Sequence, residues 1–410
     1  MLSVNEAENI IFNLAKPLNQ ADTETVDLFS ATGRILASPV TSQLDFPHWD
    51  NSAMDGYAVI YQDVLEASEE KPTVLNIVED IPAGYQPQST IQSGQAARIF
   101  TGAVMAKGAD TIVMQENTRR EDDKVFILKA PEPQEFVRHR ASYYQAGAEL
   151  LPAGIQLNAP EIAVLAAAQC TKLKVFRRPR VAILSTGNEL ITPEQTLQPG
   201  QIVDSNQYAL FSLIKQCGGE PLMLGIIKDE PEAIKAAISE VIAKADIVLS
   251  SGGVSVGDYD YVEKILESLG GEIKVGSVAM KPGKPLTVAS FSGSNSTIYF
   301  GLPGNPASAL VSFWRFVEPV IKKCSSIAEH WQPKFIKAQT RQDLNSNGKR
   351  ETYIWGKLDL VNGVNYFSTA DGSKSSGNLI NLAQTNALAV LEVGKKSVNA
   401  GEEVRVLQVY

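Results

Sequence analysis

The stretches RVAILST (residues 180–186), ADIVLSSGG (245–253) and STIYFGLPG (296–304) decide the fold. Each is an apolar run of strand length that ends in small or hydroxyl-bearing residues. Helical patterns separate and follow these runs, namely NQYALFSLIKQC, PEAIKAAISEVIAKA, YDYVEKILESLG and NPASALVSFWRFVEPVIKK. Because strands alternate with helices, the pattern predicts a doubly wound α/β domain on a parallel sheet, over residues 179–328.

The residues before this domain are of two kinds. Residues 1–40 open with a helical pattern whose Ser3 and Glu6 match the S-x-x-E capping box. Residues 41–145 show short β-like runs separated by Pro and Gly turns, which predicts an inserted β-rich domain. A short helix and a strand follow in residues 146–178, and we expect them to pack back on the first 40 residues as a segmented linker domain.

Residues 329–410 contain alternating apolar and polar runs joined by tight turns. The runs are PKFIKAQT, RETYIWGKLDLV, VNYFSTA, ALAVLEV and EEVRVLQVY, and the turns contain NG, DG and NAGE. This pattern predicts a small antiparallel sheet or β-barrel as the C-terminal domain.

Composition excludes several classes of protein. A net charge of −9 over 410 residues argues against nonspecific nucleic-acid binding. The sequence shows neither a signal peptide nor an apolar run long enough to span a membrane, so we expect a cytoplasmic protein. Cys170, Cys217 and Cys324 lie far apart without metal-ligand spacing, which excludes a disulfide framework and a zinc site. No G-x-S-x-G elbow supports nucleophilic hydrolysis.

Three loops follow strand ends of the predicted α/β domain, at residues 185–189, 250–258 and 301–306. Glycine lets backbone amides approach a ligand, and each following helix offers unpaired N–H groups. None is a P-loop or a dinucleotide-binding motif, and any one alone is most simply an ordinary turn. Together they predict a phosphate-binding edge. Its candidate binding residues are Ser251, Gly252, Gly253, Ser255, Gly304 and Asn305.

Charged residues accompany these loops. Glu189, Asp229 and either Asp258 or Asp260 would repel an anionic substrate unless a hard cation such as Mg²⁺ bridged them. The alternative for Asp229 is stabilisation of the helix that begins near residue 231.

Two further groups of residues are candidates for function. Lys281 and Lys284, in the stiff loop MKPGKP, suit anion binding, although solvated lysines are the simpler interpretation. DNSAMDGYAV at 50–59 and the Thr101–Gly102 step interrupt β-like runs with polar and small residues. Each of these interruptions alone indicates a turn more readily than a site.

Six motifs occur in this order along the chain: DNSAMDGYAV, RIFTGA, STGNEL, SSGGVSVGDYDY, MKPGKP and GLPGNPAS. Together they resemble the molybdopterin molybdenumtransferase family, which includes MoeA and the E domain of gephyrin, and the resemblance runs from about residue 3 to 410. It implies four domains per subunit and an elongated homodimer. It also implies Mg²⁺-dependent insertion of molybdate into adenylylated molybdopterin, with release of AMP.

The resemblance carries functional roles onto individual residues. The catalytic residues would be Asp55, Thr101, Glu189, Asp229 and Asp260, the last three also holding Mg²⁺. The substrate would further contact Lys281, Lys284, Pro303 and Pro306. Asp258 stays an alternative to Asp260, because Tyr259 stands where relatives often carry a small residue.

The assembly and its partners follow from the same resemblance. In an elongated dimer, Asp55 and Thr101 of one chain would face the α/β loops of its mate. Candidate protein partners are the molybdopterin adenylyltransferase and apo-molybdoenzymes, with no nucleic acid or membrane. Two other functions compete: the preceding adenylyltransferase step, which would not need residues 41–145 or the barrel, and a non-enzymatic scaffold that binds a pterin or a peptide.

Overall fold

The computed structural model describes residues 1–252, 259–292, 296–370, 375 and 377–409, with the backbone alone for 259–261. Contacts divide the chain into two compact units. The first comprises Met1–Ser38, Ala153–Ala159 and Lys172–Tyr410, and the second comprises Pro39–Pro152 and Pro160–Thr171. In the ranges given above, no helix is long and apolar enough to cross a membrane.

The first unit opens with helix α1 (Val4–Leu14), followed by strand β1 (Thr23–Asp27). The predicted capping box is confirmed. Ser3 Oγ accepts a hydrogen bond from the Glu6 N–H at 3.2 Å, and the Glu6 carboxylate accepts one from the Ser3 N–H at 2.8 Å. The apolar face of α1 is buried in the core of this unit.

The second unit is predominantly β. Its elements are β2 (Val40–Thr41), β3 (Asn51–Ser52), β4 (Gly56–Val59), α2 (Tyr61–Val64), β5 (Thr73–Ile81), β6 (Gln95–Ile99), β7 (Thr111–Met114), β8 (Thr118–Glu121), β9 (Lys124–Ile127), β10 (Val137–Arg138), β11 (Glu149–Leu151) and α3 (Ala159–Ala167). A six-stranded sheet has the order β7-β4-β6-β5-β9-β8, and two small apolar clusters pack against it. Short pairs join β3 to β10 and β2 to β11.

The chain returns to the first unit with β12 (Lys172–Phe176), which pairs antiparallel with β1. The α/β elements follow: β13 (Arg180–Thr186), β14 (Leu190–Ile191), β15 (Ile202–Val203), α4 (Asn206–Gln216), β16 (Glu220–Ile227), α5 (Pro231–Val241), β17 (Ile247–Ser251), α6 (Tyr259–Ser268), β18 (Gly271–Ser277), β19 (Met280–Lys281), β20 (Pro285–Phe291), β21 (Thr297–Leu302), α7 (Pro306–Ser312) and α8 (Glu318–Cys324).

The main sheet has the order β16-β13-β17-β21-β20-β18. The first four strands are parallel, but β20 is antiparallel to both β21 and β18, which corrects the prediction of an all-parallel sheet. The physical reason is connection length. A parallel neighbour needs a crossover of a dozen or more residues, and only residues 292–296 separate β20 from β21.

Helices cover both faces of this sheet, as a doubly wound domain requires. Residues of α1, α4, α7 and α8 share one apolar cluster with one sheet face, and α5 and α6 contribute to a second cluster. The predicted last helix is not continuous. A π-helical segment, Phe313–Val317, separates α7 from α8.

The C-terminal strands form a closed barrel. They are β22 (Phe335–Thr340), β23 (Leu344–Asn345), β24 (Glu351–Val361), β25 (Val364–Thr369), β26 (Ala387–Leu391), β27 (Ser397–Val398) and β28 (Glu403–Gln408). Five of them pair in the cycle β24-β25-β22-β28-β26, closed by pairing of β26 with β24. Closure leaves no free edge among these five strands, which confirms the predicted barrel. The barrel is not wholly antiparallel as predicted, because β22 and β25 pair in parallel.

Candidate functional site

The carboxyl ends of four parallel strands meet at one edge of the main sheet. Ser185 lies opposite Ser251, and Ser251 lies opposite Leu302, so the loops after β13, β17 and β21 are neighbours. The approach is tight at Gly252, where a Cβ would lie 2.3 Å from the Thr186 carbonyl oxygen and φ is +91°. Glycine is therefore required there by both space and backbone conformation.

Asn206, the first residue of α4, connects two of these loops. Its Nδ2 donates to Ser251 Oγ at 2.7 Å and to the Gly304 carbonyl oxygen at 2.8 Å. No motif in the sequence indicated a role for Asn206. The available signal was the polar run SNQ at residues 205–207, at the start of a helix that is otherwise apolar in its first turns. It holds two predicted binding residues in a defined arrangement.

Several polar atoms at this edge are buried without a hydrogen-bond partner among the residues described. They are Ser185 Oγ, Thr186 Oγ1 and Asn206 Oδ1. Buried polar groups almost always have a partner, so each such group calls for an explanation. A ligand that supplies both acceptors and donors would satisfy all three.

The predicted carboxylates occupy neighbouring loops. The Glu189 carboxylate folds back over Gly187, since a Cβ on that glycine would lie 2.9 Å from its oxygens. Asn188 Oδ1 accepts a hydrogen bond from the Asp229 N–H at 3.2 Å, which joins the loops after β13 and β16. Helix α5 begins at Pro231 with Glu230 as its N-cap residue.

The third predicted metal ligand is Asp260 or its alternative Asp258. Gly253, Ser255 and Asp258 lie outside the described residues, as does the side chain of Asp260. Among the side chains that are described, no three of His, Cys, Asp and Glu form a group able to hold a metal ion. The oxygens of Glu189 and Asp229 are nevertheless donors that suit Mg²⁺ chemically.

A cationic cavity of about 480 Å³ lies between the MKPGKP loop and the barrel strand β24. Lys281, Lys284 and Arg350 line it, together with the predicted binding residue Asn305. The loop is tied to the start of β24, because Arg350 Nη1 donates to the Met280 carbonyl oxygen at 3.2 Å. No motif in the sequence pointed to Arg350, which only the approach of the barrel brings to the two lysines.

A buried polar chain lies behind this cavity. Arg315, in the π-helical segment, donates from Nε to the hydroxyl of Tyr353 at 3.0 Å and is also paired with Glu8 of α1. The Tyr353 hydroxyl in turn donates to Glu351, and Tyr353 lines the cavity. Burial by itself would lower the pKa of Arg315, but Tyr353 and Glu8 outweigh burial and the pKa is raised.

Asp55 and Thr101, predicted from separate motifs, are in direct contact within the second unit. Asp55 Oδ1 accepts hydrogen bonds from the Thr101 N–H and from Thr101 Oγ1, both at 2.7 Å. These bonds, the backbone one first, lower the pKa of Asp55. The carboxylate is therefore ionised at neutral pH and fixed in orientation.

Comparisons with known proteins cover almost the whole chain. Residues 2–168 match the model of the MoeA N-terminal region (domains I and II), 182–323 that of a probable molybdopterin binding domain, and 337–409 that of the MoeA C-terminal region (domain IV). A molybdopterin molybdenumtransferase of a Nostoc species is 64% identical over 409 residues, covering 100% of this chain and 94% of the relative. One from Staphylococcus epidermidis is 33% identical, covering 99% of this chain and 95% of the relative.

Solved structures agree with the sequence comparisons. A crystal structure of a molybdopterin biosynthesis MoeA protein from Pyrococcus horikoshii superposes with a TM-score of 0.82 at 30% identity, covering 100% of this chain and 99% of that one. The resemblance inferred from the six motifs is thereby confirmed. The chain belongs to the molybdopterin molybdenumtransferase family, whose enzymes act in molybdenum cofactor biosynthesis.

Proposed function

We propose that this enzyme inserts molybdate into adenylylated molybdopterin, releases AMP and depends on Mg²⁺. Molybdate is an oxyanion, and adenylylated molybdopterin carries phosphates and thiolates, so both substrates need local positive charge on a protein of net charge −9. The single observation that carries the proposal is the cavity that gathers Lys281, Lys284 and Arg350.

The cavity suits a tetrahedral oxyanion. A guanidinium offers paired donors to two oxygens, and the ammonium groups add point charges. The hydroxyl-bearing residues Ser308 and Thr369 also line it, and hydroxyls donate to oxyanions. These groups would hold and orient molybdate while excluding bulk water from one side.

The carboxyl edge of the sheet suits the phosphoanhydride of the other substrate. Asn206 ties together the loops after β17 and β21, and the buried hydroxyls of Ser185 and Thr186 lie at the end of the neighbouring strand β13. We propose Glu189 and Asp229, with Asp260, as the residues that hold Mg²⁺. When bound, the ion would neutralise phosphate charge and polarise the phosphoanhydride. No residue is needed as a covalent nucleophile, because orientation and electrostatics suffice for such a transfer.

The test measures AMP release from adenylylated molybdopterin in the presence of molybdate. We expect Asp229→Ala to lose activity while its melting temperature stays close to that of the wild type. Glu232→Ala is the matched control, since it removes an exposed carboxylate from the first turn of the adjacent helix α5. Excess EDTA should abolish AMP release, and unchanged turnover would contradict the Mg²⁺ dependence.

The cationic cavity has its own test. Lys281→Gln and Arg350→Gln should each raise the KM for molybdate by about tenfold or more, the loss of about 1.4 kcal/mol that a charged hydrogen bond typically supplies. An unchanged KM in both variants would contradict the assignment of molybdate to this cavity. Formation of adenylylated product from molybdopterin and ATP would instead support the adenylyltransferase alternative.

We further propose that the enzyme is a homodimer, as the family resemblance implies. Asp55→Ala and Asp229→Ala chains, each inactive alone, should regain activity when mixed if the two carboxylates serve one site across the dimer. Persistent inactivity, with heterodimer formation established by native mass spectrometry, would contradict a shared site.

A further inference from the structure

A second cavity lies at the opposite edge of the main sheet. Strands β13 and β16 begin side by side at Arg180 and Glu220, and a cavity of about 560 Å³ opens beside these amino-terminal ends. Arg177, Arg178 and Lys215 also line it. The loops proposed to bind adenylylated molybdopterin follow the other ends of the same strands, so this cavity is separate from them.

Most of the charges around this cavity are already paired. Arg177 contacts Asp246 at 2.7 Å and Asp22 at 3.0 Å. Glu24, which also lines the cavity, is paired with Arg34. Glu220, the other carboxylate of the lining, lies 3.8 Å from Arg180. The carboxylates near the cavity are thus paired with arginines other than Arg178.

Arg178 and Lys215 differ from these residues, because no ion pair joins either of them to a carboxylate in the part of the chain that the structure describes. Arg178 Nη1 donates only to the Gly218 carbonyl oxygen, at 3.2 Å, and the Lys215 ammonium lies 5.3 Å from the centre of the Phe211 ring. Burial, and then the charge of Arg34, lower the pKa of Arg178, and these effects outweigh the charges of Glu24 and Glu220, which act in the opposite direction.

The end of helix α4 accounts for part of this arrangement. Lys215 lies in its last turn, and Gly218 follows it, so both cations face the negative end of the helix dipole. The partial negative charge at the helix end is about half a unit, which is too small to neutralise the two full positive charges of Arg178 and Lys215. The remaining positive charge faces a cavity large enough for a small anion.

We propose that this cavity binds a compact tetrahedral oxyanion, of the phosphate or molybdate class, between Arg178 and Lys215. The described lining contains no aromatic ring on which a nucleobase or a pterin could stack, which favours a compact anion over a nucleotide. A guanidinium and an ammonium match such an anion in charge and geometry. The proposal is independent of the function proposed above.

The test is equilibrium dialysis of the full-length protein, with phosphate and molybdate in separate arms. We expect the Arg178→Gln/Lys215→Gln variant to bind either anion at least about tenfold more weakly at one site. Lys244→Gln is the control, because it removes an exposed lysine, paired with Glu240, from outside both cavities. Repeating the measurement with Lys281→Gln/Lys284→Gln identifies binding that belongs to the other cavity.

The outcomes separate clearly. Loss of one site in the Arg178→Gln/Lys215→Gln variant, with retention in the control, supports the proposal, and the arm that binds more tightly identifies the anion. Binding that is equal in the wild type and in this variant would overturn it. A third outcome combines two melting-temperature measurements: the double variant melts at a lower temperature than the wild type, and neither phosphate nor molybdate raises the melting temperature of the wild type. This outcome would also overturn the proposal, because the two cations would then only stabilise helix α4. If the double variant does not fold, Lys215→Gln alone replaces it.

Discussion

Removing Glu8 should destabilise the first unit, because it leaves the buried guanidinium of Arg315 without its carboxylate. The Arg315 side chain is 2% exposed, whereas that of Glu8 is 26% exposed. Breaking a buried ion pair by removing one partner typically costs about 3 to 5 kcal/mol. Since water reaches the Glu8 side of the pair, we expect Glu8→Ala to cost about 2 to 3 kcal/mol, at or below the lower end of that range.

A double-mutant cycle isolates the electrostatic part of this effect. Arg315→Met keeps a long apolar side chain and leaves Glu8 accessible to water, so we expect it to cost about 1 to 2 kcal/mol. The free energy of unfolding of the Glu8→Ala/Arg315→Met variant should lie within about 0.5 kcal/mol of that of Arg315→Met, because no unpaired charge remains in either the core or its border. The coupling energy should therefore be about 2 kcal/mol.

The assay is urea unfolding followed by tryptophan fluorescence. Trp314, Trp331 and Trp355 lie in the first unit and Trp49 in the second, so a Trp49→Phe background restricts the signal to the first unit. Additive effects of the two substitutions, or a loss below about 0.5 kcal/mol for Glu8→Ala, would refute the reasoning.

Three further predictions follow from other contacts. Gly252→Ala should be more destabilising than Gly200→Ala and should abolish AMP release. Both glycines have positive φ, but of the two only Gly252 would bring a Cβ against a backbone carbonyl. Equal melting temperatures of the two variants would argue against this. The pKa of Asp55 is lowered in the folded protein, so the stabilisation by its hydrogen bonds is complete above the ordinary carboxyl pKa of 3.8. This stabilisation is lost as the pH falls through the lower pKa of the folded state. The stability of an Asp55→Asn protein should therefore depend less on pH below 3.8 than that of the wild type, as acid unfolding would measure. Burial raises the pKa of the Cys217 thiol and raises that of Cys324 to about 12, so few of these thiols are ionised at pH 8. Both should therefore react with iodoacetamide at pH 8 only after unfolding. Rapid labelling of the native protein would contradict this.

Local chemistry determined several features without any knowledge of the tertiary structure. The Ser3–Glu6 capping box depends on residues three positions apart, and it forms as predicted. Periodicity predicted the alternation of strands and helices, since the burial of one face of each element leaves its mark on the sequence. The positions of the glycine-rich loops followed directly from where the strands end.

The direction of β20 is also encoded in the sequence, through the length of its connection to β21 and not through periodicity. Strand β20 is as apolar as the parallel strands of the same sheet, and apolarity carries no information on strand direction. The short span before β21 excludes a crossover and therefore requires an antiparallel pair.

Other features were decided only by the tertiary structure. Asn206 joins Ser251 to Gly304, which are 45 and 98 residues further along the chain. Arg350 reaches the MKPGKP loop through the pairing of β19 with β24. A single asparagine or arginine carries no periodic pattern, so its role depends on which distant groups the fold brings within hydrogen-bonding distance. Sequence motifs therefore determined where the loops lie, whereas the packing of the barrel and of α4 determined which side chains complete them.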